Sequence, residues 1–188
     1  KGKRFNSPND VVVKSDGSIW FTDPSYGILA DYEGGKAESE IGNCNVYRID
    51  PSGEITIVAD DFVKPNGLAF SKDESILYIA DTGISHQENG PKHIRALSVK
   101  PDGKSLGTSK LFADCTAGLF DGFRVDNDGR IWTSAGDGVH CYLPNGDLIG
   151  KIRIPELVAN VCFGGAKRNR LFICGCTSLY SAFLSING

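Results

Sequence analysis

Phe120-Asp121-Gly122-Phe123-Arg124-Val125, continued by Asp128-Gly129-Arg130-Ile131-Trp132-Thr133-Ser134, reads as a polar lead-in, an apolar strand, an Asp-Gly turn and a second strand. β-Branched and aromatic residues on both sides of a dipeptide that accepts positive φ mark a β-hairpin. The same template occurs three more times. Pro8-Asn9-Asp10-Val11-Val12-Val13 passes through Asp16-Gly17 to Ile19-Trp20-Phe21-Thr22-Asp23. Pro65-Asn66-Gly67-Leu68-Ala69-Phe70 passes through Asp73-Glu74 to Ile76-Leu77-Tyr78-Ile79-Ala80-Asp81, and a weaker copy runs from Ala159-Asn160 to Cys174. Asn9, Asn66, Asp121 and Asn160 stand at equivalent positions, at the head of each hairpin.

Two further strand patterns follow each of the first three hairpins, joined by Asp50-Pro51-Ser52-Gly53, Pro101-Asp102-Gly103 and Pro144-Asn145-Gly146; only one follows the fourth. Four-stranded units recurring at roughly 40 to 57 residues, with turn chemistry between strands and no convincing amphipathic helix, predict an all-β fold of the β-propeller type. The blades fall near residues 7–60, 64–114, 120–153 and 158–188 of a single partial propeller domain. A propeller closes to hide its strand edges, and three and three-quarter blades do not close. The chain has no Met and opens at Lys1, so the expectation is that a missing N-terminal segment completes the propeller and supplies the outer strand of the last blade. The longest connections, 24–44 and 82–92, should rim the mouth where the hairpins start.

Composition narrows the function classes. The 188 residues are 40% hydrophobic with a net charge of −3, and the 20 Lys and Arg residues are scattered without a basic run. No footprint for nucleic-acid phosphates is present. No stretch approaches the roughly 20 apolar residues of a membrane span, and no signal segment opens the chain, so a cytoplasmic location is expected. The six cysteines lie mostly inside apolar strand patterns, where small buried thiols are the ordinary reading, and Cys174-Gly175-Cys176 has neither zinc-site nor redox spacing.

In a propeller the lead-in residues of successive inner strands converge on the central axis. Asn9, Asn66, Asp121 and Asn160 would then become neighbours and present amide oxygens plus one carboxylate, a donor set for a hard divalent cation. The plain alternative is that Pro-Asn-Asp and Pro-Asn-Gly are turn formers. A single carboxylate neutralises a divalent ion poorly, and no repeat of this chain offers another acid at the equivalent position, so a second acid is expected in the missing N-terminal segment. His86, His93 and His140 have no paired spacing, no nucleophile elbow accompanies them, and Gly34-Gly35-Lys36 lacks the phosphate-loop pattern. Trp20 and Trp132 share one repeat position and are expected in the core.

At these motifs the sequence resembles the SMP-30/gluconolactonase/luciferin-regenerating family, in its bacterial and fungal gluconolactonase branch. The likeness is carried by 4–13, 16–27, Lys64-Pro65-Asn66-Gly67-Leu68-Ala69-Phe70, Asp121-Gly122-Phe123, and Leu171-Phe172-Ile173-Cys174 with Thr177-Ser178-Leu179-Tyr180. The resemblance implies a six-bladed propeller with a divalent metal ion on its axis, Ca²⁺ in first place and Mg²⁺, Mn²⁺ or Zn²⁺ as alternatives. It implies Asn66 and Asp121 as metal ligands, with Asn9 completing the metal shell or binding substrate. The family's Glu ligand has no counterpart here. The implied activity is hydrolysis of a sugar lactone, gluconolactone in type, to the aldonic acid. In it Asp121 is the catalytic proton shuttle, and Asn9, Asp23 and Tyr26 contact sugar hydroxyls. The rival readings are a calcium-dependent aryl-ester or phosphotriester hydrolase on the same site, and a non-catalytic scaffold whose ion is structural.

Overall fold

The structure, a computed structural model, describes residues 2–188. Fifteen strands among these residues form four antiparallel sheets, each strand pairing with the next in sequence. The first sheet holds β1 (Val11–Val13), β2 (Ile19–Asp23), β3 (Cys44–Ile49) and β4 (Ile55–Phe62). The second holds β5 (Pro65–Phe70), β6 (Ile76–Asp81), β7 (His93–Val99) and β8 (Leu106–Asp114). The third holds β9 (Phe123–Val125), β10 (Ile131–Ala135), β11 (Gly138–Tyr142) and β12 (Leu148–Arg153), and the last has three strands, β13 (Val158–Gly164), β14 (Arg170–Gly175) and β15 (Leu179–Phe183). These are four propeller blades, and the all-β expectation holds. Two short helical turns depart from it, α1 (Tyr26–Leu29) and a 3₁₀ turn at Gly83–Ser85, one in each of the two long loops. No helix among the described residues is long and apolar enough to cross a membrane.

The repeat extends to single hydrogen bonds. The tight turn of each inner hairpin closes from the amide of Gly17, Glu74, Gly129 or Arg168 to the carbonyl of Lys14, Ser71, Asp126 or Gly165, at 2.8–3.0 Å. All four donors have positive φ, between 51° and 82°. Gly reaches that region freely, whereas Glu74 and Arg168 are held there at a cost.

The core lies between blades. Trp20, Val46, Leu68, Leu77 and Ile79 fill the space between the first and second sheets. Ile94, Phe120, Phe123, Ile131 and Tyr142 fill that between the second and third. Val139, Val161, Phe163, Leu171 and Ile173 join the third to the fourth. Each fully buried side chain of this size contributes about 1.5–3 kcal/mol of transfer free energy. Trp20 is completely buried, as its repeat position suggested. Trp132 is only partly buried: its ring packs edge-on against Phe163, and its Nε1 donates to Asp126 at 2.8 Å. The cysteines are all free thiols, and Cys115 and Cys141 are buried, whereas Cys162, Cys174 and Cys176 are exposed.

The hairpin heads meet where the inner strands pack side by side. β5 touches β1 and β2 on one side and β9 on the other, and β13 touches β9 and β10. Bonds tie them across blades: Thr22 Oγ1 donates to the Asn66 carbonyl at 2.8 Å, Leu68 N donates to Asp10 Oδ2 at 3.2 Å, and Gly122 N donates to the Ala159 carbonyl at 2.8 Å. The register of β5 shifts between Pro65 and Leu68, and that of β13 between Val158 and Asn160, so Asn66 and Asn160 sit at bulges inside strands. Bulges re-aim side chains beside sites.

Candidate active site

Two carboxylates hold the lead-in segments in place. Asp23, at the end of β2, accepts the amides of Asn6 and Ser7 at 3.0 and 2.9 Å. Asp81, at the end of β6, does the same for Val63 and Lys64 at 2.9 and 2.8 Å. In each case the clamped pair immediately precedes Pro-Asn, which fixes where Asn9 and Asn66 emerge. The third copy has Ala135 at this position and no proline; there Ser134 Oγ accepts the Asp121 amide at 2.9 Å. Asp23 is fully buried and does not line the cleft, so both its oxygens serve the backbone and neither is free for a sugar hydroxyl.

Asn9, Asn66 and Asp121 line one cleft of about 520 Å³. Asn9 Nδ2 donates to Asn66 Oδ1 at 2.7 Å, and Asn66 Nδ2 donates to Thr82 Oγ1 at 3.4 Å. Burial pushes the Asp121 carboxyl up to about 6; the charges of Asp10 and Glu33 push the same way, and the Asn66 amide offsets part of the shift. No Lys or Arg among the described residues lines this cleft. It is a pocket with a desolvated carboxylate, amide groups and no cationic side chain from the described residues, which fits a hard divalent ion. No cluster of three or more His, Cys, Asp or Glu side chains able to hold a metal occurs among the described residues, so amides must supply most of the donors. Asn160 stands apart from this set. Its Oδ1 accepts the Val161 amide at 2.8 Å, its amide group fills the space beside Gly122, and it is not among the cleft residues.

The long loops rim the cleft, Tyr26, Gly27 and Glu33 from one and Thr82, Ser85 and His86 from the other. The Tyr26 hydroxyl bonds to Thr82 Oγ1, its ring lies 5.5 Å from that of His86, and burial raises its phenol pKa. Glu33 is the second acid of the pocket, in a place the repeat pattern does not mark, because it comes from the tip of a loop rather than a strand head. His86, set aside on sequence grounds for want of a partner histidine, is also in the cleft. The only sequence signal for either is that the loop carrying it is long.

Relatives of known name share this framework. A gluconolactonase of Zymomonas mobilis is 34% identical over 185 residues, which are 92% of this chain and 49% of the relative. The chain thus spans about half the length of that relative. The crystal structure of a gluconolactonase from Xanthomonas campestris is 40% identical with a TM-score of 0.88, over 96% of this chain and 57% of that one. The four blades here thus correspond to about 60% of a six-bladed gluconolactonase propeller. A calcium-binding protein, regucalcin from Agrobacterium tumefaciens, aligns with a TM-score of 0.75 at 22% identity, over 96% of this chain and 62% of that one, a likeness of fold. The model of the SMP-30/gluconolactonase/LRE-like region matches residues 1–177, and this chain belongs to that family.

Proposed function

We propose that the full-length protein hydrolyses a sugar lactone of the gluconolactone type to its aldonic acid with the help of a divalent cation, calcium in first place. The observation that carries the reading is the meeting of Asn9, Asn66 and Asp121, brought from three blades, in one cleft that no Lys or Arg among the described residues lines. Asn66 and Asp121 would hold the ion, with Asn9 either completing its shell or turning to the substrate. When bound, the cation polarises the lactone carbonyl and stabilises the negative charge that develops on its oxygen.

The protein's own groups do the rest. Asn9 and the Tyr26 edge of the cleft face the ring hydroxyls, and the long loops shield the reacting carbon from bulk water. A polyol lactone needs several donors and acceptors at fixed positions, and this rim of hydroxyls and amides offers both. Asp121 is the proton-transfer group on this reading, although a carboxylate engaged by a cation is a weak base.

Removing divalent ions from the full-length protein with a chelator should abolish gluconolactone hydrolysis, and adding Ca²⁺ should restore it. Asp121→Ala should lose both calorimetric Ca²⁺ binding and activity. Near-normal hydrolysis by Asp121→Ala, or faster turnover of paraoxon than of gluconolactone by the native protein, would contradict the reading.

A further inference from the structure

We infer that Asp10 is an outer acid of the cation site: it adds negative charge behind the ligands without ligating the ion, and Arg124 sets how much of that charge the ion feels. This rests on the divalent-cation part of the lactonase reading and deepens it. A donor set of one carboxylate and amides leaves half the charge of a divalent ion uncompensated. Asp10 stands where it can act on that deficit. It follows Asn9 directly, and its side chain is 13% exposed. Its Oδ1 accepts the Val11 amide at 2.8 Å, and its Oδ2 accepts the amide of Leu68, two residues beyond Asn66, at 3.2 Å. The same Oδ2 lies 3.7 Å from NH1 of Arg124, three residues beyond Asp121. One carboxylate thus touches all three chain segments that carry Asn9, Asn66 and Asp121.

Its charge reaches the cleft. Burial does most to hold the Asp121 carboxyl above its ordinary range, and the charge of Asp10 comes next, ahead of that of Glu33. A charge that strengthens the hold of Asp121 on a proton also strengthens its hold on a cation, and a doubly charged ion responds more strongly.

Arg124 works in the opposite sense. Its NH1 donates to the Phe123 carbonyl at 2.7 Å, which anchors the guanidinium to β9. Three residues of strand place its α-carbon about 10 Å from that of Asp121, whereas Asp10 adjoins Asn9. The pair therefore presents its carboxylate to the site and keeps its cation behind. Arg124 tempers the field of Asp10 without cancelling it.

The test uses the full-length protein, with Ca²⁺ affinity read by calorimetry at neutral pH and low salt, and denaturant midpoints read on the chelator-treated protein. Asp10→Asn should weaken Ca²⁺ binding roughly 10-fold, and Arg124→Gln should tighten it roughly threefold. Arg124→Lys, which keeps the charge, should stay within about twofold of the native affinity, and the variant carrying both Asp10→Asn and Arg124→Gln within about threefold. The opposite signs separate an electrostatic role from a structural one, because loosening the strand heads can only weaken the site. Arg124→Gln should also lower the midpoint of the ion-free protein, since Asp10 and Asp121 then repel each other without relief. Should Asp10→Asn fail to fold, the two Arg124 variants decide. A folded Arg124→Gln whose Ca²⁺ affinity is unchanged or weaker, or an Arg124→Lys that behaves like Arg124→Gln, overturns the assignment, and native protein that binds Ca²⁺ and opens gluconolactone then leaves the lactonase reading standing. Native protein that binds no Ca²⁺ overturns both.

Discussion

The α-carbon of Gly67 lies so close to the Asp121 carbonyl that a β-carbon built on it would stand 2.1 Å from that oxygen. Since residue 66 and residue 121 are the candidate ligands, this backbone contact between the second and third blades sets the distance between them. Only glycine permits it.

Gly67→Ala should force the two lead-ins apart. Because the obstructing atom is backbone, relief requires movement of a strand head, at a cost of about 1–3 kcal/mol or more. Thermal unfolding should show the loss of stability. Ca²⁺ affinity should fall alongside it, and an unchanged affinity would mean that the spacing is not set here.

Asp121 should show function opposing stability. Its carboxyl is raised by burial from the usual 3.8 to about 6, so the folded state prefers it protonated. The stability of the ion-free protein is therefore greatest below about pH 4 and is lost as pH rises towards about 6. The loss is on the order of 2–3 kcal/mol by neutral pH. Asp121→Asn should accordingly stabilise the chelator-treated protein at pH 7 and make little difference at pH 3.5, as read by denaturant midpoints. Its lactonase activity should be absent throughout.

Asp23→Ala separates a structural from a substrate-binding role. The change strands the amides of Asn6 and Ser7, of which Asn6 is buried, and should cost about 2–5 kcal/mol. Activity should fall with the folded fraction while KM for gluconolactone in the remaining enzyme stays within about twofold. A KM rise of tenfold or more at full foldedness would restore the sugar contact expected from the sequence.

Arg168→Gly should stabilise. The residue sits at φ 51° in the one inner-hairpin turn of the two non-glycine copies whose side chain makes no bond across blades. Its Nε reaches only the Gly188 carbonyl, at 2.8 Å. Relief of the left-handed strain should exceed that surface bond, giving a gain of about 0.5 kcal/mol in urea unfolding. Glu74, at the same turn position, bonds Ser15 and pairs with Lys14, so Glu74→Gly should not stabilise.

Fold and convergence were open to reading because they are written in local chemistry repeated four times. A turn that needs positive φ, an alternation of apolar residues and a polar head each leave a mark within about ten residues, and repetition multiplies a weak signal. Even the Asp23 and Asp81 clamps are legible in retrospect: an Asp ends the returning strand in just the two copies whose heads contain Pro-Asn. The sequence alone therefore determined the blades, and with them the grouping of Asn9, Asn66 and Asp121. It could not determine that Asp23 turns both oxygens to the backbone, that Asn160 leaves the set to pack on Gly122, or that Glu33 and His86 reach the cleft. Those outcomes depend on how long loops fold back over the blades and on which buried amide claims which carboxylate. Both are settled by contacts between residues far apart in the chain, for which no local pattern exists.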